Sequence, residues 1–205
     1  MKRREFSREI KKRILILCED SKSSLLYFKS FKKDEEFKRH LSAVSVDVYH
    51  PENYSPLGLV KDAIKRRDFE KEEKNPYGEI WVVFDKDKHT NIQDAYKLAE
   101  KEKINIAISI ICFEFWILLH FEYTTKQFNK CDELIKYIES KKYISNYKKC
   151  SNCFDIIRDK IAIAITNAKK VEKYNKDDVI RGTKVYRLSA YTDVHKIVEI
   201  LSNIK

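Results

Sequence analysis

Residues 14–18 (Ile-Leu-Ile-Leu-Cys) are apolar without interruption. A run that short and continuous predicts a strand buried on both faces, as in a parallel sheet. Residues 79–84 (Glu-Ile-Trp-Val-Val-Phe) and 104–110 (Ile-Asn-Ile-Ala-Ile-Ser-Ile) read the same way. Residues 43–49 (Ala-Val-Ser-Val-Asp-Val-Tyr) alternate and predict a more exposed strand. Between these runs the apolar period lengthens. Leu25, Leu26, Phe28, Phe31 and Phe37 mark a helix that Ser21, Ser23 or Ser24 is placed to cap. A second helix, about 57–73, follows the breaks at Pro51 and Pro56, and a third, 91–103, turns Ala95, Leu98 and Ala99 inward. Residues 113–121 (Phe-Glu-Phe-Trp-Ile-Leu-Leu-His-Phe) have almost no polar face, so that helix is expected inside, with Phe113 and Trp116 in the core and His120 a satisfied core histidine. Further helices are predicted at 128–140, 153–174 and 193–203. The order β-α-β-α-β-α-β and then helices implies an α/β fold. A mostly parallel sheet of about four strands, joined by right-handed crossovers and flanked by helices, carries a helical C-terminal part. The expected organisation is a basic arm over 1–13, an α/β core over 14–124 and a helical region over 125–205 packed on it.

Composition adds charge to this picture. The 205 residues are 43% hydrophobic and 12% aromatic, enough for one core without staples and too apolar for a disordered chain. The net charge of +10 is uneven: +5 over residues 1–13, −3 over 14–140 and +8 over 141–205. Basic ends around an acidic centre suit a protein that grips a polyanion by its flanks and a metal in the middle, although a solvated lysine-rich surface has the same composition. The three glycines, Gly58, Gly78 and Gly182, cannot spell a phosphate-cradling loop, so any ATP hydrolysis must come from another chain. The cysteines are odd in number and no apolar leader follows the charged N-terminus, which points to a reduced, cytoplasmic protein. Cys150-x-x-Cys153 looks like half a zinc site, but Cys131 is the only other sulfur nearby, and two free thiols near a helix start is the favoured reading. Glu114 in the apolar stretch 104–121 argues against a membrane span.

The candidate chemistry sits where two buried strands end. The first runs into Cys18-Glu19-Asp20 and the third into Phe84-Asp85-Lys86-Asp87. In an open parallel sheet ligands bind at the carboxyl ends of the strands. Asp85 and Asp87, two apart in extended backbone, point to one side, and Glu19 faces them if the two strands are neighbours. Three carboxylates in one crevice raise one another's pKa, a conflict that Mg²⁺ or Mn²⁺ removes. Such ions activate a water and stabilise the leaving oxygen of a phosphodiester. Acids also follow strands simply because loops are polar. Glu114 is read either as a further carboxylate at this crevice or as a buried acid with a polar partner. His89 could position a water or touch a phosphate, or cap the next helix, while Lys86 and Lys88 could steady phosphates or be merely solvated.

These residues resemble a family. A buried strand ending in Glu, followed by one ending in Asp-x-Asp, is similar to the Toprim pattern. The closer resemblance is to the RloB-like family, a Toprim-type group of bacterial defence loci. It is carried by residues 14–18, Glu19-Asp20, Lys22-Ser23-Ser24 and Tyr27-Phe28, by Phe84-Asp85-Lys86-Asp87-Lys88-His89, by the block Cys112 to Phe121, and by Thr192-Asp193-Val194-His195. Asp20 stands where the family has Gly, Ser24 where it has Glu, and Ser189-Ala190 where it has Asn-Pro. The resemblance implies a Toprim fold and a Mg²⁺-dependent (or Mn²⁺-dependent) nuclease subunit of an anti-phage, abortive-infection system with an ABC or SMC-like ATPase partner. It implies Glu19, Asp85 and Asp87 as metal ligands, with Glu114 and His89 assisting. Lys22, Lys86, Lys88, Arg3 and Arg4 are the expected contacts to nucleic acid, DNA or RNA such as tRNA. The rival expectation is a catalytically weakened Toprim module that serves as a nucleic-acid-binding or ATPase-binding adaptor.

Overall fold

The computed structural model describes residues 12–40, 44–51, 55–86, 89–144, 147 and 152–202. Arg3, Arg4, Asp87, Lys88 and Cys150, all singled out above, lie outside the described residues. The apolar runs form a sheet. Strands β1 (Lys12–Cys18), β2 (Val44–Tyr49), β3 (Glu79–Asp85) and β4 (Asn105–Ile110) are all parallel. A fifth strand, β5 (Tyr191–Thr192), joins β4 antiparallel, and the order is β2-β1-β3-β4-β5. The unbroken runs occupy the middle: Ile14, Leu15, Ile16, Val82, Ala107 and Ile108 have no exposure, because helices cover both faces. The alternating strand β2 is at the edge, as its half-polar pattern requires.

The mostly parallel sheet flanked by helices is as expected, with a fifth, short strand beside the four read from the sequence. Two residues give no periodicity to read; tertiary contact alone makes them a strand. Its ladder is extended by the Asp193 N–H to the Ile108 carbonyl (2.9 Å) and by a buried Ser109–Thr192 hydroxyl pair at 3.0 Å. The Thr192-to-His195 block thus closes the sheet edge and starts a helix.

Ten helices follow from the periodic segments among the described residues: α1 (Ser23–Lys33), α2 (Glu35–His40), α3 (Pro56–Glu72), α4 (Ile92–Glu102), α5 (Glu114–Leu119), α6 (Cys131–Ser140), α7 (Phe154–Ile157), α8 (Ile161–Tyr174), α9 (Lys176–Ile180) and α10 (Val194–Ser202). Pro56 is not before α3 but in its first turn, where its missing N–H costs nothing, and the Ser55 hydroxyl accepts from the Gly58 amide at 3.1 Å. The single helix expected over 153–174 is two, α7 and α8, separated by a 3₁₀ turn at Arg158–Lys160. Helix α5 is buried along its whole length, as its lack of a polar face predicts. Phe113, Trp116 and His120 all have no exposure, and the His120 Nδ1 lies 2.9 Å from the Trp116 carbonyl.

Lys12 and Arg13, expected in the basic arm, belong to β1 instead, and residues 1–11 lie outside the described residues. Lys12 pairs with Glu79 (3.0 Å), and Arg13 bridges Asp47 and Glu70, each at 2.7 Å. Burial works against the Arg13 charge, but the Glu70 and Asp47 carboxylates outweigh it and raise its pKa. Arg13 therefore ties β1 to β2 and α3.

Candidate active site

Strands β1 and β3 are neighbours, with Cys18 opposite Val83. The pairing runs one residue further through the Glu19 N–H, which donates to the Val83 carbonyl at 2.9 Å. That register carries the Glu19 side chain to the end of β3. Its Oε2 accepts the Asp85 backbone N–H at 2.8 Å, and its Oε1 contacts the His89 Nε2. Glu19 therefore meets the Asp85 backbone and the His89 ring at the carboxyl end of the sheet. Burial pushes the Glu19 carboxyl above its usual range; the Asp85 amide and His89 oppose that shift, and the Asp20 charge adds to it. The His89 ring meets the Glu19 carboxylate.

Asp20 does not point into this crevice as a free acid. Its carboxylate accepts the backbone N–H groups of Lys22 (2.8 Å) and Ser24 (3.2 Å), so it satisfies the amides at the start of α1. The cap expected from Ser21, Ser23 or Ser24 is supplied by Asp20 instead. Asp20, where the resemblance expects Gly, is thus accounted for by the helix it starts.

Ser23 is turned to another task. Its hydroxyl donates to the Glu114 Oε1 at 2.8 Å, and the Tyr147 hydroxyl reaches the same oxygen at 3.4 Å. The other oxygen, Oε2, lies 3.2 Å from the Cys131 Sγ. Glu114 has no exposure, so of its two sequence readings the contacts on view are those of a buried acid with polar partners, bound to the first turn of α1 four residues beyond Glu19. Sequence reasoning missed Ser23, Tyr147 and Cys131 as its neighbours; they are 91, 33 and 17 residues away, and no local pattern joins them. Cys131 is itself bonded to Cys112 as a disulfide, which corrects the expectation of reduced cysteines for this pair. Cys18 and Cys153 are free and buried.

Of the expected phosphate contacts, Lys22 and Lys86 are among the described residues. Lys22 is exposed at the start of α1. Lys86 is partly buried, and its Nζ donates to the Leu188 carbonyl at 3.1 Å, which ties the end of β3 to the segment before β5. Burial lowers its pKa. Among the described residues no helix is long and apolar enough to cross a membrane.

The family model described as RloB-like protein matches residues 14–201, nearly the whole chain. No curated protein matches it.

Proposed function

We propose, for a chain that belongs to the RloB-like family, that it is the nuclease subunit of a bacterial anti-phage, abortive-infection system, acting in the cytoplasm with an ABC or SMC-like ATPase. The observation that carries this reading is the seating of Glu19 on the Asp85 amide at the carboxyl ends of two adjacent parallel strands with buried centres. The donor set there is all oxygen, and burial has already raised the Glu19 carboxyl, so a hard cation would relieve a conflict built into the fold. Glu19, Asp85 and Asp87 would hold Mg²⁺ or Mn²⁺, which when bound supplies an activated water and stabilises the leaving oxygen of a phosphodiester. The His89 ring contacts Glu19 and holds that carboxylate in its orientation. Lys22, Lys88, Arg3 and Arg4 would contact the nucleic-acid backbone; Lys86 offers its charge from the Leu188 carbonyl. Glu114 assists by holding the first turn of α1 through Ser23.

A second reading has its own support. Both Glu19 oxygens are engaged inside the protein and Asp20 is spent on a helix, which suits a weakened Toprim module acting as a nucleic-acid or ATPase adaptor. Incubation of labelled DNA, tRNA and other RNA with Mg²⁺ or Mn²⁺, with and without the ATPase, separates the two. The nuclease reading expects cleavage that is lost on chelation and in Asp85→Asn, with the melting temperature of that variant unchanged or raised. Cleavage that survives Asp85→Asn overturns it, and binding without cleavage under every condition favours the adaptor.

A further inference from the structure

We propose that Cys112, Glu114 and Cys131, in reduced form, make a second cation site, distinct from the acids at Glu19 and Asp85, that takes a thiophilic divalent ion of the Zn²⁺ class. One ligand atom from each of the three residues lies within 4.8 Å of the other two. Cys112 and Glu114 sit at the turn from β4 into α5, and Cys131 opens α6, so the cluster joins two elements across the chain reversal between them. The disulfide is the oxidised, metal-free state of this cluster. Two electrons and two protons from a dithiol reductant convert it to two thiols. Cation binding then releases those two protons, since thiolates are the ligands.

Three features favour a metal over an unliganded thiol pair. The carboxylate is already aimed. Its Oε1 is held by the Ser23 and Tyr147 hydroxyls at 2.8 and 3.4 Å, and its Oε2 faces the Cys131 sulfur at 3.2 Å. Hydroxyls on the far oxygen are the outer partners that fix a ligating carboxylate. The span also fits: a tetrahedral Zn²⁺ with bonds near 2.3 Å places two sulfurs about 3.8 Å apart. Cysteines with Cα atoms 5.8 Å apart reach that separation by side-chain rotation alone. Finally, two sulfurs and a buried carboxylate select against the hard ion proposed for Glu19 and Asp85. A water completes the four positions, or Cys153, which is buried, free and near enough to feel the Glu114 charge. The ion would tie the start of α6 to the start of α5 and, through Ser23, to α1.

The test needs no nuclease activity. The full chain is reduced with a phosphine, freed of it under nitrogen, checked for complete reduction by alkylation and mass spectrometry, and titrated with Co²⁺. A thiolate-to-cobalt charge-transfer band saturating at one equivalent, displaced by Zn²⁺ and untouched by excess Mg²⁺, is expected. Cys131→Ser should abolish the band. The isosteric Glu114→Gln should weaken Co²⁺ binding at least about tenfold. Fully reduced protein that develops no band overturns the proposal, as does a band that persists in Cys131→Ser. Circular dichroism shows that each variant tested is folded.

Discussion

Burial raises the pKa of Glu19 and lowers that of His120, in both cases by disfavouring the charged form. The two residues then have different uses. Glu19 keeps contact with an amide and a histidine at the carboxyl end of the sheet, and both oppose the shift that burial imposes. His120 is sealed among Trp116 and Tyr27, with ring centroids 4.8 and 6.2 Å away, and burial takes its pKa to about 4. Since the unfolded chain binds the His120 proton near pH 6.5 and the folded chain only near 4, the unfolded state carries more protons between those values. Stability is therefore complete above about pH 6.5 and lost as the pH falls toward 4, by roughly 3 kcal/mol from this residue. Urea unfolding of His120→Phe between pH 4 and 7 should show a shallower pH dependence than the wild type. An equal slope would mean that His120 is protonated in the fold. The sign for Glu19 is opposite: its raised folded pKa makes stability fall as the pH rises through the window from its ordinary value upward.

Helix α1 links the candidate site to the rest of the fold. Its first turn is held from two sides, by the Asp20 carboxylate on the Lys22 and Ser24 amides and by Ser23 on Glu114. Its inner face buries Leu25, Tyr27, Phe28 and Phe31. Truncating an N-terminal cap costs about 1 kcal/mol. Asp20→Ala should lose about that much in chemical denaturation. Asp20→Gly, the residue the resemblance expects, should lose less while leaving any cleavage intact. If Asp20→Gly instead destroyed cleavage at unchanged stability, Asp20 would belong to the metal site and not to the helix. Serines in the first turn were visible in the sequence, but which side chain caps depends on where the loop after β1 turns, and that is set by Glu19 reaching across to β3.

The charge of the whole molecule can be tested by its response to salt. Lys12 and Arg13 are fixed in β1 by Glu79, Asp47 and Glu70, so the cations of the sequence left to test before β1 are Lys2, Arg3, Arg4, Arg8 and Lys11. Each phosphate neutralised releases a counterion, and deletion of residues 1–11 should therefore flatten the log–log salt dependence of nucleic-acid binding by roughly 2–4 units, if most of the five touch phosphate. The fold should survive, because among the described residues burial begins at Ile14. An unchanged slope with lost ATPase association would assign the arm to the partner, and an unchanged slope with association intact would move attention to the +8 of residues 141–205.

The four parallel strands, the buried α5 and the placing of Glu19 and Asp85 at strand ends were legible in the sequence. All follow from local periodicity, and burial on both faces writes itself into a strand as an unbroken apolar run. Other features depended on pairings between distant residues, which no window along the chain contains. Two-residue β5 exists only because β4 offers it an edge. Arg13 became a bridge because β2 and α3 bring Asp47 and Glu70 to it. Glu114 gained its neighbours from α1, α6 and residue 147, and with them the sulfurs of Cys112 and Cys131. The sequence determined which residues must be inside and where strands end; tertiary packing decided what each buried polar group meets there, because a carboxylate or guanidinium removed from water takes whatever partner the fold supplies.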